Sequence, residues 1–233
     1  LFLRRQITRS KHRIMGILRT TDHRFTGSKS YWTNTHRAWL AKLRREMTGP
    51  MQIVLASELE MLEYLETSQR SMDARITEIA QQHPWREPVE ALCCFRGIKT
   101  LTAMTILSEI GDTSASARRG SSWAIRGWSP ASAAAGTSSD VGRSPRAGNR
   151  YLRRVLIESA WHYSKQASST LVLERRRMGQ DPAIVGIATK AQHRLRRRDL
   201  HLARTKHTNK AVTAVARELV GFIWSMLWEI DRH

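Results

Sequence analysis

Apolar residues recur along most of this chain at steps of three and four, and nowhere alternate in the two-residue period of a strand. The pattern predicts an all-helical protein. Phe2, Ile7, Ile14 and Leu18 form the stripe of a basic amphipathic helix over residues 1–19. A loop, TTDHRFTGSKS, leads to a second helix whose core marks are Trp32, Trp39 and Leu43. The third helix runs from about Met51 to Gln82. Its apolar positions Leu55, Leu59, Leu62 and Leu65, then Met72, Ile76 and Ile79, slip register once, and acidic residues fill the other face. Such a helix packs in a long hairpin or coiled coil, through which the chain is expected to self-associate; Pro84 stops it.

Beyond PWREP, two helices meet at Arg96-Gly97-Ile98-Lys99, with Thr100 placed to cap the second. This is the outline of a helix-hairpin-helix, in which hairpin amides and a helix N-terminus hold a DNA phosphate, although Lys99 stands where a second glycine is usual. A tight helical turn with one glycine is also plain architecture. Further on, GNRYLRRVLIESAWHYSK predicts a helix with Leu152, Val155, Leu156 and Trp161 inward, leaving Arg150, Arg153 and Arg154 to solvent. A densely basic helix follows and ends at a Thr208-Asn209 cap, ahead of a final apolar helix from Ala211 onward that should be the core of its domain. The pattern divides the chain into basic helices with a coiled-coil region, 1–87, and a second helical domain, 88–233.

Charge narrows the choice of partner. Net charge is +19 with a pI near 11.2, a field that favours a polyanionic partner, nucleic acid before membrane. It is also uneven: residues 1–50 hold twelve Lys and Arg against Asp22 and Glu46, whereas 51–90 hold three against eight acidic residues. In the second domain Lys190, His193, Arg194, Arg196, Arg197, Arg198, Arg204, Lys206 and Lys210, beside Asn209, recur densely enough to suggest a phosphate track rather than a merely solvated face. The hairpin adds Arg96, Gly97, Lys99 and Thr100, and the turn ahead of Arg150 adds Gly148 and Asn149. Cys93 and Cys94 are adjacent, a strained geometry for a disulfide, and lack zinc-site spacing. Both read as core residues in a reducing compartment. No run of eighteen apolar residues exists to span a membrane.

Taken in order, LCCFRGIKTLTAMTILSEIGD, AGNRYLRRVLIESAWHYSK and TKAQHRLRRRDLHLARTKHTNKAVTAVARELVGFIW resemble the carboxy-terminal half of the IS one-ten / IS eleven-eleven group of insertion-sequence transposases, as does the earlier TGSKSYWTNTHRAWL. The resemblance implies a bacterial cytoplasmic recombinase that pairs donor and target DNA using a structured guide RNA. It further implies an RNase-H-like domain with four acidic residues and magnesium, a coiled-coil insertion, and a helical transposase domain with a nucleophilic serine. The chain opens on Leu1, in mid-helix, and Asp22 is the only acidic residue among its first 45, so the acidic site is expected ahead of it and no metal site within it.

One stretch departs from all this. Residues 113–147 hold no leucine and are dominated by alanine, serine and glycine, where the group carries a pattern close to PRQLxxYxGLxPSExSSG. Combining each codon's third base with the first two of the next restores it. Gly127-Trp128 allows Leu, Trp128-Ser129 gives Val, Ser129-Pro130 allows Pro, Pro130-Ala131 Ser and Ala131-Ser132 Glu. Ala133-Ala134 and Ala134-Ala135 each allow Ser, and Ala135-Gly136 allows Gly. Arg118 to Ile125 can yield Pro-Arg-Gln-Leu-Met-Gly-Tyr, and Arg143 to Arg146 Ile-Thr-Lys. Each codon offers a choice, but an ordered run of such matches points to a shifted frame over 113–146. The serine codons then fall across Ala133, Ala134 and Ala135, and alanine cannot attack a phosphate. Ser132, Ser138 and Ser139 are weak substitutes. The sequence thus reads as a pseudogene-like transposase fragment that keeps its nucleic-acid-binding helices; the alternatives are a non-enzymatic nucleic-acid-binding module with a true linker at 113–147, or a structural assembly piece.

The frame reading makes a direct prediction about the gene. Translating the shifted frame between the codons of Asp112 and Gly148 should give Pro-Ser-Glu-x-Ser-Ser-Gly; sequencing the locus and finding other residues there would remove the argument.

Overall fold

A computed structural model describes residues 2–110, 150–165 and 170–232. Among these are nine α-helices, one 3-10 turn and no strand. The chain splits into two compact units, Leu1–Arg75 and Ile76–His233, with the division inside the last turns of the third helix.

The first unit is built from α1 (Phe2–Thr20), α2 (Asn34–Glu46) and most of α3 (Pro50–Ile79). Ile7, Ile14, Ile17 and Leu18 of α1 meet Leu40 and Leu43 of α2 and Leu55, Leu62 and Leu65 of α3 in one core. Thr33 caps α2, its hydroxyl accepting from the His36 amide. Charge lines the seams. Arg37 makes two 2.9 Å bonds to Glu66, which Lys11 also approaches at 3.2 Å, and Arg13 pairs with Glu58 at 2.8 Å. The basic zone and the acidic zone of the sequence are therefore partners within one unit.

The sequence pattern placed Trp32 and Trp39 at the centre of this packing. Both are instead half-buried, and the residue they enclose is His36, fully buried, with the rings of Phe25, Tyr31, Trp32 and Trp39 centred 4.9–5.7 Å from its own. Trp32 takes a left-handed backbone (φ 66°), and its amide donates to His36 Nδ1 at 3.2 Å. Along α3 the apolar register is only partly covered, because Met72 and Ile79 remain 50% and 44% exposed.

The second unit contains α4 (Arg86–Cys93), α5 (Thr100–Ile110), α6 (Arg150–Ala160), the 3-10 turn Trp161–Ser164, α7 (Leu171–Arg177), α8 (Pro182–Ala203) and α9 (Thr208–Ile230). α9 is the central post: Ala211, Val212, Val215, Ala216, Leu219, Ile223, Met226 and Leu227 are all buried. It is long and apolar enough to cross a membrane by composition, but this buried face belongs to the core shared with α4, α5, α6 and α8. Trp161, expected inward, is 41% exposed, because the chain leaves the α-helix at Ala160 and the tighter 3-10 turn swings Tyr163 into the core instead. The caps also shift by one residue. The Lys99 carbonyl accepts the first bond of α5, from Ala103 at 2.8 Å, which makes Thr100 the first helical residue, and His207 rather than Thr208-Asn209 caps α9 through its Nδ1.

Burial, and then the neighbouring Arg37 charge, hold the His36 imidazole below its ordinary pKa. Folding therefore favours neutral His36, so this contribution to stability is complete above about pH 6.5 and is lost as pH falls below it. Thermal unfolding followed from pH 7.5 to 5.5 should show the wild-type midpoint falling with pH and a shallower slope for His36→Gln. Parallel slopes would mean that His36 carries none of the dependence.

Candidate nucleic-acid interface

Two cationic groupings stand out in the second unit. The first surrounds the hairpin between α4 and α5. Gly97 has φ +84°, and a Cβ at this position would lie 2.6 Å from the Ser159 carbonyl oxygen and 2.9 Å from the His162 ring. Only glycine permits both the left-handed turn and this approach to the end of α6. The hairpin is held from the other side by adjacent arginines of α7. Arg176 donates to the Ile98 carbonyl at 2.6 Å, and Arg177 donates to the Cys94 carbonyl at 3.1 Å while also reaching Gln192 of α8 at 3.0 Å. Two charged donors thus fix the carbonyl side of the hairpin. The first-turn amides of α5, which have no acceptor within the helix, begin directly after Lys99.

Around this turn lie Arg96, Lys99, His162 and Lys165. The ring of His162 is held below its ordinary pKa by burial and then by the charges of Lys165, Arg96 and Lys99. That many cations around one exposed imidazole is a site suited to an anion. Sequence reasoning named Arg96, Gly97, Lys99 and Thr100 here but missed His162, Lys165, Arg176 and Arg177. The pair RR at 176–177 carried no periodic signal, whereas the basic and imidazole residues of WHYSK, directly after a helix, could have been noted.

The second grouping is α8. Asp181 caps this helix, accepting from the Ala183 amide at 2.6 Å, and Pro182 occupies its first turn. Ile184, Ala188, Ala191, Leu195 and Leu202 are buried on one side. On the opposite side Lys190, Arg194, Arg197, His201 and Arg204 are all exposed. Their spacing of four, three, four and three keeps them in one row, about 21 Å long at 1.5 Å per residue. His193 flanks the row, and Lys206, Asn209 and Lys210 follow it, exposed, at the turn into α9.

The predicted phosphate residues do not all behave alike. Arg196 turns inward, donating to the Ser164 carbonyl and lying 3.6 Å from Asp199, so it ties α8 to the 3-10 turn. Arg194 is engaged by Glu218 of α9, and Arg198 lies 4.0 Å from the same carboxylate. Lys190, Arg197, Arg204, Lys206 and Lys210 have no ion pair among the described residues. On α6, Arg150 is exposed over Tyr151, Arg154 pairs with Glu158 at 2.6 Å, and Arg153 is half-buried. Gly148 and Asn149 lie outside the described residues, as do Ala133, Ala134 and Ala135 and the substitute serines Ser132, Ser138 and Ser139. Among the described residues no three His, Cys, Asp or Glu converge as a metal-ion cluster would.

Comparison with known proteins connects this arrangement to a family. Residues 89–172, from α4 into α7, match the sequence model of the Transposase IS116/IS110/IS902 family. The transposase of insertion sequence element IS1533 from Leptospira borgpetersenii is 30% identical over 203 residues, which are 84% of this chain and 57% of that protein. A putative transposase, y4qE, from Sinorhizobium fredii is 29% identical over 88% of this chain and 49% of its own length. An insertion element IS110 protein of 43.6 kDa from Streptomyces coelicolor is 26% identical over 77% of this chain and 38% of its own. No solved structure matches. The chain spans about half the length of these curated relatives, and the hairpin, α5 and α6 that frame the first cationic grouping all fall within the matched family region. From α4 to the start of α7 this chain carries the domain of the Transposase IS116/IS110/IS902 family, and over most of its length it is similar to insertion-sequence transposases.

Proposed function

We propose that this chain is the nucleic-acid-gripping portion of a DNA transposase, with the row Lys190–Arg204 of α8 and the turn at Lys206 and Lys210 as its principal phosphate contact. The observation that carries this reading is the row itself. Its helix buries the opposite face, holds two neighbouring arginines through Glu218, and leaves Lys190, Arg197 and Arg204 without counter-charges among the described residues. Side chains of that type, regularly spaced on a rigid helix, neutralise phosphates and release their counterions. The hairpin supplies a second anchor, with Lys99, Arg96 and His162 around the α5 N-terminus. A structured guide RNA is the other polyanion suited to these surfaces. Self-association is proposed through α3, where Val54, Met61, Tyr64 and Met72 stay exposed within an arc of about 80°.

Catalysis is a separate matter. The resemblance expects a serine nucleophile where this chain reads Ala133 to Ala135, so strand exchange by this copy requires the restored frame across 113–146 as well as an acidic magnesium site. A chain joined to the acidic domain of a relative should give no recombination between donor and target plasmids until the frame is also restored. Activity without that repair would assign the nucleophile to Ser132, Ser138 or Ser139.

Binding is tested by salt dependence. Changing Lys190, Arg197 and Arg204 together to Gln should reduce the slope of log affinity against log salt for duplex DNA by about 2.7, at roughly 0.9 per lost phosphate contact. Arg70→Gln with Arg75→Gln, on the acidic helix, serves as the control. Equal losses from the two sets would reduce the α8 row to solvated surface.

A further inference from the structure

We propose that the outer face of α1 is a second DNA-docking surface, independent of the α8 row, which lies along the major groove of a B-form duplex with Gly16 as its point of closest approach. The first unit distributes its charge unevenly. Cations of α1 and α2 that face α3 are neutralised there: Lys11 by Glu66, Arg13 by Glu58, Arg37 by Glu66 and Arg44 by Glu60. The cations of α1 that point away are not. Arg5, Arg9, His12 and Arg19 are exposed and have no acidic partner among the described residues. With Gly16 between the last two, they step along the helix by four, three, four and three, the same spacing as the α8 row in the other unit.

That row is about 21 Å long, and a duplex presents a phosphate charge roughly every 1.7 Å of its axis, so about a dozen phosphates lie within its reach. The face offers arginines, an imidazole and a glycine; its guanidiniums can pair with flanking phosphates and, from within the groove, with guanine edges. An α-helix about 10–12 Å across fits the major groove of B-form DNA, about 12 Å wide, but not the deep, narrow major groove of A-form RNA. The geometry therefore favours DNA over a duplex of RNA.

Gly16 is the independent observation. Glycine in a helix interior is unfavourable relative to alanine. Nothing inside the unit requires it, since a Cβ there would meet no atom within 4 Å and its φ is not left-handed. Its remaining effect is to leave the middle of a cationic row without a side chain, where the duplex can come nearest.

The test uses the full chain with a 20-base-pair DNA duplex and the matching RNA duplex as probes, followed by fluorescence anisotropy across a salt series. Arg5→Gln, Arg9→Gln and Arg19→Gln together should reduce the DNA salt slope by about 2.7, and DNA affinity by about tenfold or more, with RNA affinity changed far less. Gly16→Leu keeps the charge and replaces glycine with a better helix former; it should also weaken DNA binding about tenfold while circular dichroism shows helix content retained. A wild-type slope in the triple variant, or wild-type affinity in Gly16→Leu, overturns the proposal, and equal losses for RNA overturn its assignment to the B-form groove. The α8 variants leave the α1 contribution to the slope intact, so the two surfaces fail or stand separately.

Discussion

Thirty-nine lysines and arginines share this chain with twenty carboxylates, and the placement of those carboxylates organises both units. In the first unit Glu58, Glu60 and Glu66 of α3 sit against Arg13, Arg44, Arg37 and Lys11. In the second, Glu218 of α9 lies against Arg194 and Arg198, and Asp199 meets Arg196 from within its own helix. Glu58, Glu66, Glu218 and Asp199 are each largely covered, so their pairs are partly desolvated and less screened by solvent and salt, whereas Glu60 pairs with Arg44 at the surface. What remains outside is a set of cations that repel one another, and a polyanion is the partner that relieves this repulsion. Fold and interface follow from the same division.

The hairpin shows how a site of this kind is held in place. Its backbone turns at Gly97, where the left-handed φ and the 2.6 Å approach that a Cβ would make to the Ser159 carbonyl leave no room for another residue. A tight turn exposes carbonyls as well as amides, and buried carbonyls need donors. Arg176 and Arg177 supply them from α7, and Arg177 goes on to Gln192 of α8. Charged donors form stronger bonds than neutral ones, so the turn is braced against three other elements rather than resting on its own backbone bonds. The cost is a half-buried arginine: burial holds the Arg177 guanidinium below its ordinary pKa.

Much of this was legible in the sequence, and the omissions share a cause. Helical periodicity located α1 to α6, α8 and α9, because each buries one stripe and periodicity reports burial. It could not distinguish a tryptophan that faces the core from one that roofs it. His36 and Tyr163 took the positions expected of Trp32, Trp39 and Trp161, since a left-handed residue at Trp32 and a 3-10 turn after Ala160 each rotate the chain away from ideal helix phase. Caps failed similarly. Thr100 and the Thr208-Asn209 pair are favourable cap types, yet the adjoining Lys99 and His207 already occupy the boundary. Within the candidate site, the density of basic residues on α8 was plain, but the inward turn of Arg196 depended on the Ser164 carbonyl, thirty-two residues distant in sequence. Long-range partners have no local signature.

The alanine-, serine- and glycine-rich stretch between Asp112 and Gly148 lies outside the described residues. Its two borders are secured independently of it: Ala103, Ile106 and Leu107 of α5 and Leu152, Leu156 and Ala160 of α6 belong to one core with Leu219 and Ile223 of α9. Burial of those side chains, worth about 1.5–3 kcal/mol each for the larger ones, does not depend on which residues lie between the helices. Lengthening or altering a connection costs little once its ends are fixed, because closure entropy grows only with the logarithm of its length. A nucleophile is different, since its hydroxyl must be held at a defined distance and angle from the phosphate. A change of reading frame across such a segment therefore leaves the flanking helices and their cationic faces in place, while it replaces every side chain on which positioning of an attacking serine would depend.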